Sequence, residues 1–230
     1  MNISGFQKMT LLDFPGVVAC TLFTSGCNFR CPFCHNASLV THIDNSIRYS
    51  EEEVLEYLEK RKGVLDGVCI TGGEPLLQGD IAEFLGKIKE MGYLIKLDTN
   101  GSFPEKLASL VEMGLVDYVA MDIKNSKEKY AETTGKADLD ISAIEKSVSF
   151  LMSGKVDYEF RTTVVKELHS EEDIENIALW LKGAKKYFLQ NFVDSGDLIS
   201  ENLSAVDSTV LCKMQQIARQ FIVNTEIRGV

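Results

Sequence analysis

The sequence predicts an α/β protein with a central sheet of parallel strands, and three observations carry this prediction. Six short runs of apolar, β-branched or aromatic residues recur along the 230-residue chain. Patterns typical of amphipathic helices separate these runs, with glycine, asparagine or aspartate at most junctions. Hydrophobic residues make up 45% and charged residues 25% of the chain, which is typical of a globular domain and argues against disorder, collagen or coiled coil.

The six apolar runs are the predicted strands. They are Val17–Thr24, Val68–Thr71, Tyr93–Thr99, Asp117–Lys124, Tyr158–Val165 and Lys186–Phe192. Strands that alternate with helices pair in parallel through right-handed crossovers. About six such units suit a partial or open barrel better than a closed barrel of eight units, which needs roughly 250 residues. A doubly wound sheet is the alternative topology, and the pattern alone does not decide between the two.

The predicted helices follow from apolar residues that recur at helical spacing. Ile81, Phe84, Leu85 and Ile88 show the i, i+3, i+4, i+7 pattern of an amphipathic helix. Start signals precede three of the helices: a capping box at Ser50–Glu53, Ser102 with Pro104, and Ser170. The other five predicted helices have apolar faces formed by the following sets of residues: Val54, Leu55 and Leu58; Leu107, Leu110 and Val111; Ile141, Ile144, Val148 and Leu151; Ile174, Ile177, Ala178 and Leu181; and Val206, Val210, Met214, Ile217 and Ala218.

The chain is predicted to form a single domain, because it contains no linker, repeat or low-complexity segment. Within residues 1–230, a lead-in covers 1–16, the barrel core covers 17–192, and a loop with a last helix covers 193–230. A chain of this length buries about 70% of its unfolded surface, so the core needs no disulfide or metal to hold it.

Charge and hydropathy exclude several classes of protein. The formal net charge is −10, which repels the phosphates of nucleic acid, and no dense basic run offsets it. No apolar run approaches the ~20 residues that a membrane-spanning helix requires. Met1–Thr10 lacks the basic and apolar regions of a secretory signal, so the expected compartment is the cytoplasm.

Chemically distinctive residues cluster at the carboxyl ends of the predicted strands. In parallel α/β folds this edge of the sheet carries the active site. The candidates, in strand order, are Cys27, Cys31 and Cys34; Gly72, Gly73 and Glu74; Asp98 and Asn100; Asp122 and Lys124; Arg161; and Gln190. Asp122 and Lys124 alternate along one strand, so their side chains share a face and must pair if that face is buried.

The cysteine loop predicts a metal centre. Cys27, Cys31 and Cys34 have C-x3-C-x2-C spacing, and three thiolates in one loop can converge on one centre. A structural zinc site needs four ligands, commonly as two separated pairs, and no second pair is present. Iron–sulfur clusters are held by cysteine thiolates, usually four, so three ligands leave one iron open to a small molecule. The alternative is a zinc-binding interaction module with no enzymatic activity.

From about Gly5 to Phe192, this pattern resembles the radical S-adenosylmethionine (SAM) superfamily. Phe33 matches the superfamily form C-x3-C-x-aromatic-C. The resemblance implies a partial (β/α)6 barrel and a [4Fe–4S] cluster on the three cysteines, with SAM on the fourth iron. It further implies that Phe33 helps to bind the cofactor and that no side chain acts as a general acid or base.

Further cofactor contacts are implied by the same resemblance. Gly72-Gly73-Glu74 is similar to a GGE motif whose backbone accepts the amino group of SAM. The segments at Asp98–Gly101 and Asp122–Lys124 resemble glycyl-radical activating enzymes, in which the lysine contacts the cofactor and the two aspartates help to form a monovalent-cation site. Arg161 and Asn100 are also expected at the cofactor. Gln190 or Asn191 stands where some relatives use a histidine against the ribose.

The lead-in implies a protein substrate. Gly5–Gly16 resembles activators of anaerobic ribonucleoside-triphosphate reductase, in which a D-x-P-G turn, here containing Asp13, lies near the substrate. The implied reaction removes hydrogen from a backbone glycine of a glycyl radical enzyme, with a flavodoxin or ferredoxin-type electron donor. A pyruvate formate-lyase-type activator and an enzyme acting on a small molecule, such as a deazapurine precursor, are the alternatives. Cys20 and Cys69 are predicted core residues, Cys212 has no predicted role, and His42 and His169 are predicted at the surface.

Overall fold

The backbone forms one sheet of eight strands, in which strands adjacent in sequence are adjacent in space. The computed structural model describes residues 1–43 and 48–228. The strands are β1 (Ile3–Thr10), β2 (Ala19–Thr24), β3 (Gly67–Gly72), β4 (Leu94–Thr99), β5 (Tyr118–Asp122), β6 (Asp157–Val164), β7 (Tyr187–Asn191) and β8 (Thr225–Arg228). All six predicted strands are present, and their ends lie within two residues of the predicted ones.

Helices connect the strands. They are α1 (Ala37–Val40), α2 (Glu51–Lys60), α3 (Ile81–Glu90), α4 (Pro104–Glu112), α5 (Tyr130–Thr133), α6 (Ile141–Met152), α7 (Glu171–Trp180) and α8 (Ser208–Arg219), with 3-10 turns at Pro75–Leu77 and Lys127–Lys129. The predicted capping box of α2 is confirmed, since Ser50 accepts from the Glu53 backbone and Glu53 accepts from the Ser50 backbone. The two helices α1 and α5 are a single turn each and carry no periodic signal in the sequence.

The strand pairing distinguishes a partial barrel from a doubly wound sheet. Strands β2 to β8 pair in parallel and in sequence order, whereas β1 pairs antiparallel with β2. A doubly wound sheet would reverse its strand order at a switch point, and this sheet has none within the described residues. The partial barrel is therefore confirmed. Within the same residues β1 and β8 are not paired with each other, so the barrel has an open edge between them.

The two faces of the sheet differ in polarity. On β4, Ile95 and Leu97 belong to the main apolar core, whereas the alternate residues Lys96 and Asp98 line a cavity on the other face. The predicted apolar face of α3 packs into the same core, with Ile81 and Phe84 among its fully buried residues. Burial of the apolar side chains holds the helices against the sheet. The polar face, by contrast, encloses charged side chains within the barrel.

The structure corrects the sequence analysis at both ends of the sheet. Residues 3–10 of the predicted lead-in form strand β1, and residues 225–228 form β8. Both are edge strands, so one side of each is exposed and their apolar residues do not alternate clearly. The last helix begins at Ser208 rather than at Val206, because both backbone groups of Val206 are hydrogen-bonded by the side chain of Asn191.

No helix within residues 1–43 and 48–228 is long and apolar enough to cross a membrane.

Candidate active site

The three predicted cysteine ligands lie together in the loop that follows β2. Cys27, Cys31 and Cys34 are all free thiols and all line one cavity of about 220 Å³ at the carboxyl ends of the strands. Backbone hydrogen bonds fix the loop on both sides: Gly26 donates to Leu39 at 2.8 Å, and Arg30 donates to Thr134 at 2.8 Å. The loop is therefore pre-formed, with its sulfur atoms at the cavity.

The donor set fits a cluster better than a single ion. Burial raises the pKa of Cys27 and that of Cys31, the latter to about 12, so both are neutral thiols unless a cation replaces the proton. Among the described residues, no three Cys, His, Asp or Glu side chains are arranged to hold one metal ion. In an iron–sulfur cluster each thiolate binds a different iron, so the sulfur atoms need not surround a single point.

Gly72 and Gly73 join the end of β3 to the cysteine loop. A Cβ on Gly72 would lie 2.3 Å from the Thr24 oxygen, and one on Gly73 would lie 2.0 Å from the Gly26 oxygen. The Gly73 nitrogen donates to Thr24 at 2.8 Å, and the Glu74 nitrogen donates to Gly26 at 2.8 Å. Both glycines also line the cavity. The sequence predicted close approach to a ligand; the structure adds that their lack of a side chain lets two backbone segments meet.

Glu74 supports the site from within the core. Its side chain is fully buried and is not among the residues that line the cavity. The carboxylate accepts hydrogen bonds from the Leu76 nitrogen at 3.1 Å, the Thr99 hydroxyl at 2.8 Å and the Asn100 nitrogen at 2.7 Å. Burial raises the pKa of Glu74 to about 7, against the opposing effect of these donors. Glu74 thus ties the turn after β3 to the turn after β4.

Four predicted residues on the polar face of the sheet form one charged network. Asp122 accepts from Lys124 at 3.0 Å and from the Arg161 Nε at 2.9 Å, and Arg161 also contacts Asp98 at 3.2 Å. Lys96, which the sequence analysis did not single out, contacts the other oxygen of Asp98. Period-2 alternation with Asp98 along the same strand was the signal that could have identified Lys96.

Mutual pairing keeps this buried network ionised. Burial raises the pKa of both aspartates, but Arg161 and the neighbouring lysines more than offset it, so both pKa values are lowered, that of Asp122 to about 2. Burial alone would lower the pKa of Lys124, yet Asp122 raises it above the ordinary value. The two aspartates are therefore anionic, and Lys124 is cationic at the cavity wall.

His169 is a correction, because the sequence analysis placed it at the surface and the structure buries it. The Val165 nitrogen donates to its Nδ1 at 3.1 Å, which leaves the proton on Nε2 to donate to the Lys124 oxygen at 2.8 Å. The ring packs edge-on against Phe33, with centroids 6.2 Å apart, and Lys124 lies 6.0 Å from the centroid of Phe33. His169 therefore orients the backbone of Lys124 and supports Phe33.

The remaining predicted residues complete the cavity wall. The Asn100 amide donates to Asn28 at 3.0 Å and lies 3.8 Å from the Cys27 sulfur. Gln190 lines the same cavity from β7. Sequence reasoning did not assign Asn36, Thr71 or Thr163 to this wall. Thr163 lies two residues after Arg161 on one strand, so alternation could have identified it, whereas Asn36 carries no such signal.

Asp13 lies at a second opening rather than at the first cavity. It accepts a hydrogen bond from Thr21 and lines a neighbouring cavity of about 490 Å³ between the β1–β2 turn and β8. The two cavities share Asp98, Arg161 and Gln190, so they meet inside the barrel. Close to Asp13, the side chains of Met9, Leu11 and Leu12 are exposed by 58%, 69% and 90%. The open edge of the barrel thus leads from an apolar rim to the charged network.

Comparisons with known proteins decide the family. Residues 21–181 match the model of the radical SAM superfamily. The chain belongs to the radical SAM superfamily. A relative from Methanocaldococcus jannaschii, provisionally named a glycyl-radical enzyme activating enzyme, is 33% identical and covers 99% of this chain and 96% of its own length. The pyruvate formate-lyase-activating enzyme of Clostridium pasteurianum is 25% identical over 96% of this chain and 98% of that enzyme.

Solved structures of the radical SAM superfamily show the same fold. SuiB of Streptococcus suis, bound to the precursor peptide SuiA, superposes with a TM-score of 0.71 at 16% identity and covers 90% of this chain. The chain spans about half of SuiB, with 48% covered. The protein anSMEcpe with bound AdoMet superposes with a TM-score of 0.68 at 19% identity, covering 89% of this chain and 62% of that one. At these identities the likeness supports the fold alone.

Membership of the radical SAM superfamily confirms the resemblance inferred from the cysteine loop. The protein is an oxidoreductase-type radical SAM enzyme, so the alternative of a non-enzymatic zinc module is excluded. The radical SAM family uses SAM and a [4Fe–4S] cluster, and the three free cysteines at one cavity are compatible with such a cluster.

Proposed function

We propose that this enzyme activates a glycyl radical enzyme by removing a hydrogen atom from a backbone glycine of that protein. The observation that carries the proposal is the second cavity at the open edge of the barrel. It meets the cavity lined by the three cysteines, here called the cofactor cavity, at Asp98, Arg161 and Gln190. A macromolecular substrate needs such an entrance, because only a short segment of it can reach the reacting atoms. The relative of similar length from Methanocaldococcus jannaschii, named as an activating enzyme, supports the same function.

The cysteine loop would hold the cofactor. We assign Cys27, Cys31 and Cys34 as ligands of a [4Fe–4S] cluster whose fourth iron binds SAM. When bound and reduced, this pair supplies a 5′-deoxyadenosyl radical through one-electron cleavage of SAM, with methionine as the other product. The surrounding cavity wall, with Phe33 at 4% exposure, would keep water from the site.

The polar residues of the cavity wall would orient SAM. The backbone at Gly72 and Gly73 would accept the amino group, and Glu74 would hold that turn through its three hydrogen bonds. Lys124 and Arg161 would place positive charge near the carboxylate of SAM. The remaining contacts would come from Phe33, Asn100, Asp122 and Gln190, the last of these toward the ribose.

The open edge would admit the substrate. A glycine-bearing loop would enter between the β1–β2 turn and β8, pass Asp13, and reach Arg161 and Gln190 at the junction of the cavities. The exposed side chains Met9, Leu11 and Leu12 would contact the partner at the rim, since exposed apolar clusters commonly mark interaction sites. The occupant we propose is the glycine loop of the partner, because the rim is continuous with the reaction cavity.

The proposed partner is anaerobic ribonucleoside-triphosphate reductase, on the resemblance of Gly5–Gly16 to its activators. Pyruvate formate-lyase is the alternative, supported by a pyruvate formate-lyase-activating enzyme of Listeria monocytogenes that is 32% identical over 61% of this chain. A flavodoxin or ferredoxin-type protein would supply the electron. We place this chemistry in the cytoplasm, where thiols stay reduced.

A radical SAM enzyme acting on a small molecule is the second candidate. A provisionally named GTP 3′,8-cyclase of Thermococcus kodakarensis is 32% identical over 65% of this chain, although only 48% of that protein is covered. A site for a small substrate would be closed, whereas this site opens at the barrel edge. A deazapurine precursor or a nucleotide would be the substrate to test.

The test is an anaerobic assay with reconstituted enzyme, SAM, dithionite and either candidate partner protein. A doublet in the electron spin resonance spectrum of the partner, lost when its radical-site glycine is replaced by alanine, is the expected result. Cleavage of SAM that responds only to a small molecule, with no radical on either partner, would contradict the proposal. Comparing the two partners under identical conditions then distinguishes reductase from formate-lyase activation.

A further inference from the structure

The aspartate pair does not fit the monovalent cation that the family resemblance implies. Asp98 accepts from Lys96 and Arg161, and Asp122 accepts from Arg161 and Lys124. Each of the four carboxylate oxygens therefore already contacts a cationic nitrogen. A sodium or potassium ion would have to share these oxygens with three cationic groups or displace one of them.

The charge of the network opposes a further cation. The two carboxylates are surrounded by the cationic side chains of Lys96, Lys124 and Arg161, which gives a net charge of +1. Adding a monovalent ion would raise this to +2 in a buried region, where like charges repel strongly. A net charge of +1 instead suits a ligand that brings a carboxylate.

Lys96 is the most deeply buried cation of the network. Its side chain is 2% exposed, and its ammonium contacts Asp98 and lies 3.8 Å from the Cys69 sulfur. A fully buried lysine is rare and requires a partner. Lys96 lines the second cavity and is not among the residues that line the cofactor cavity.

The effect of Lys96 reaches the cofactor cavity through a chain of ion pairs. Lys96 holds Asp98, which contacts Arg161 at 3.2 Å; Arg161 contacts Asp122 at 2.9 Å, and Asp122 holds Lys124 at 3.0 Å. Lys124 and Arg161 line the cofactor cavity directly. Lys96 is thus a positioning residue for the groups that face the ligand.

We infer that the buried ammonium of Lys96 takes the place of a monovalent cation beside Asp98, so that this enzyme binds SAM without one. For the identity of the ligand this inference rests on the proposed function. It also explains how the chain keeps both aspartates ionised, since each of their carboxylate oxygens contacts a cationic nitrogen.

The experiment compares wild type, Lys96→Met and the control Lys89→Met in KCl, NaCl and tetramethylammonium chloride at one ionic strength. Lys89, near the end of α3, pairs with Asp117 at 2.8 Å, and neither residue lines either cavity. Two quantities are measured: the unfolding temperature of the metal-free protein and the Kd for SAM of the anaerobically reconstituted protein. Lys96→Gln serves as a second variant if Lys96→Met does not fold.

Wild type should give the same Kd and unfolding temperature in all three salts. Lys96→Met should bind SAM about 10- to 100-fold more weakly in tetramethylammonium, as expected for loss of a supporting contact. Potassium or sodium should restore most of that affinity and raise the unfolding temperature of the metal-free variant. For Lys89→Met, neither the Kd for SAM nor the unfolding temperature should depend on the cation.

Two outcomes overturn the inference. In the first, wild type binds SAM more tightly in potassium or sodium than in tetramethylammonium. In the second, the Kd for SAM and the unfolding temperature of the Lys96 variants do not change with the salt. If no variant and no wild-type preparation binds SAM, the proposed function fails instead. The unfolding temperature of the metal-free protein then still tests the inference, because that measurement needs neither cluster nor SAM.

Discussion

Replacing Gly73 by alanine should displace the cysteine loop and so prevent cluster binding. The Cβ of alanine would lie 2.0 Å from the oxygen and 2.7 Å from the carbonyl carbon of Gly26, next to Cys27. These are backbone atoms, so no side-chain rotation relieves the clash. The turn after β3 and the loop after β2 must move apart.

The hydrogen bonds at this contact set the size of the expected loss in stability. Separation lengthens the bonds from the Gly73 nitrogen to Thr24 and from the Glu74 nitrogen to Gly26, each 2.8 Å long. Each such bond contributes a net stability of about 0.5–1.5 kcal/mol, and overpacking costs about 1–3 kcal/mol. We therefore expect the free energy of unfolding to fall by about 2–6 kcal/mol. At 2–4 °C per kcal/mol for this chain length, Tm should fall by roughly 10 °C.

The assay combines thermal unfolding of the metal-free protein with iron and sulfide content after anaerobic reconstitution. Gly86→Ala is the matched control, because nothing lies within 4 Å of a Cβ at this position inside α3. That change should stabilise the protein by about 0.5–1 kcal/mol and leave iron uptake unchanged. A Gly73→Ala protein with wild-type Tm and full iron content would refute the reasoning.

Three further predictions concern pH, the cluster and the partner. The pKa of Glu74 is raised to about 7, so the folded state binds this proton more tightly than the unfolded chain does. The free energy of unfolding should therefore fall by about 3 kcal/mol as the pH rises from below the pKa of Glu74 in the unfolded chain through 7. Urea unfolding of Glu74→Gln across this range should lack that slope, and parallel profiles for variant and wild type would contradict the assignment. Cys31→Ala should lose the iron and the brown colour, whereas Cys212→Ala, at an exposed position, should retain both; equal iron content in the two variants would contradict the ligand set. Leu12→Ser should raise KM for the partner about tenfold while preserving Tm and iron content, and the equally exposed control Val223→Ser should not; the reverse result would place the docking surface elsewhere.

Local patterns were sufficient for most of the secondary structure. The alternation of apolar runs with helical periodicity predicted six strands, because each buried strand of a parallel sheet carries its own apolar signal. The capping box at Ser50 and the apolar face at Ile81 and Phe84 likewise depend on residues within one or two turns. Strands β1 and β8 escaped prediction because an edge strand is half exposed, and its identity depends on the neighbour with which it pairs.

Some features of the site could be predicted from the sequence and others could not. Cys27, Cys31 and Cys34 lie within one loop, so their spacing alone indicated a shared metal centre. The pairing of Asp98 with Arg161 could not be predicted, because Arg161 lies 63 positions further along the chain and meets Asp98 only across the barrel interior. His169 was misplaced for the same reason: its burial follows from the packing of its loop against Lys124 and Phe33.

The sequence by itself determined the family, the parallel α/β architecture and the loop of three cysteines predicted to hold a metal centre, since these depend on periodicity and on residues close together in the chain. Only the tertiary structure decided that the barrel is open between β1 and β8. It alone also showed that Arg161 links Asp98 and Asp122 in one charged network. The physical reason is that strand pairing and buried charge pairing join distant residues, and their energies depend on distance in space rather than on separation along the chain.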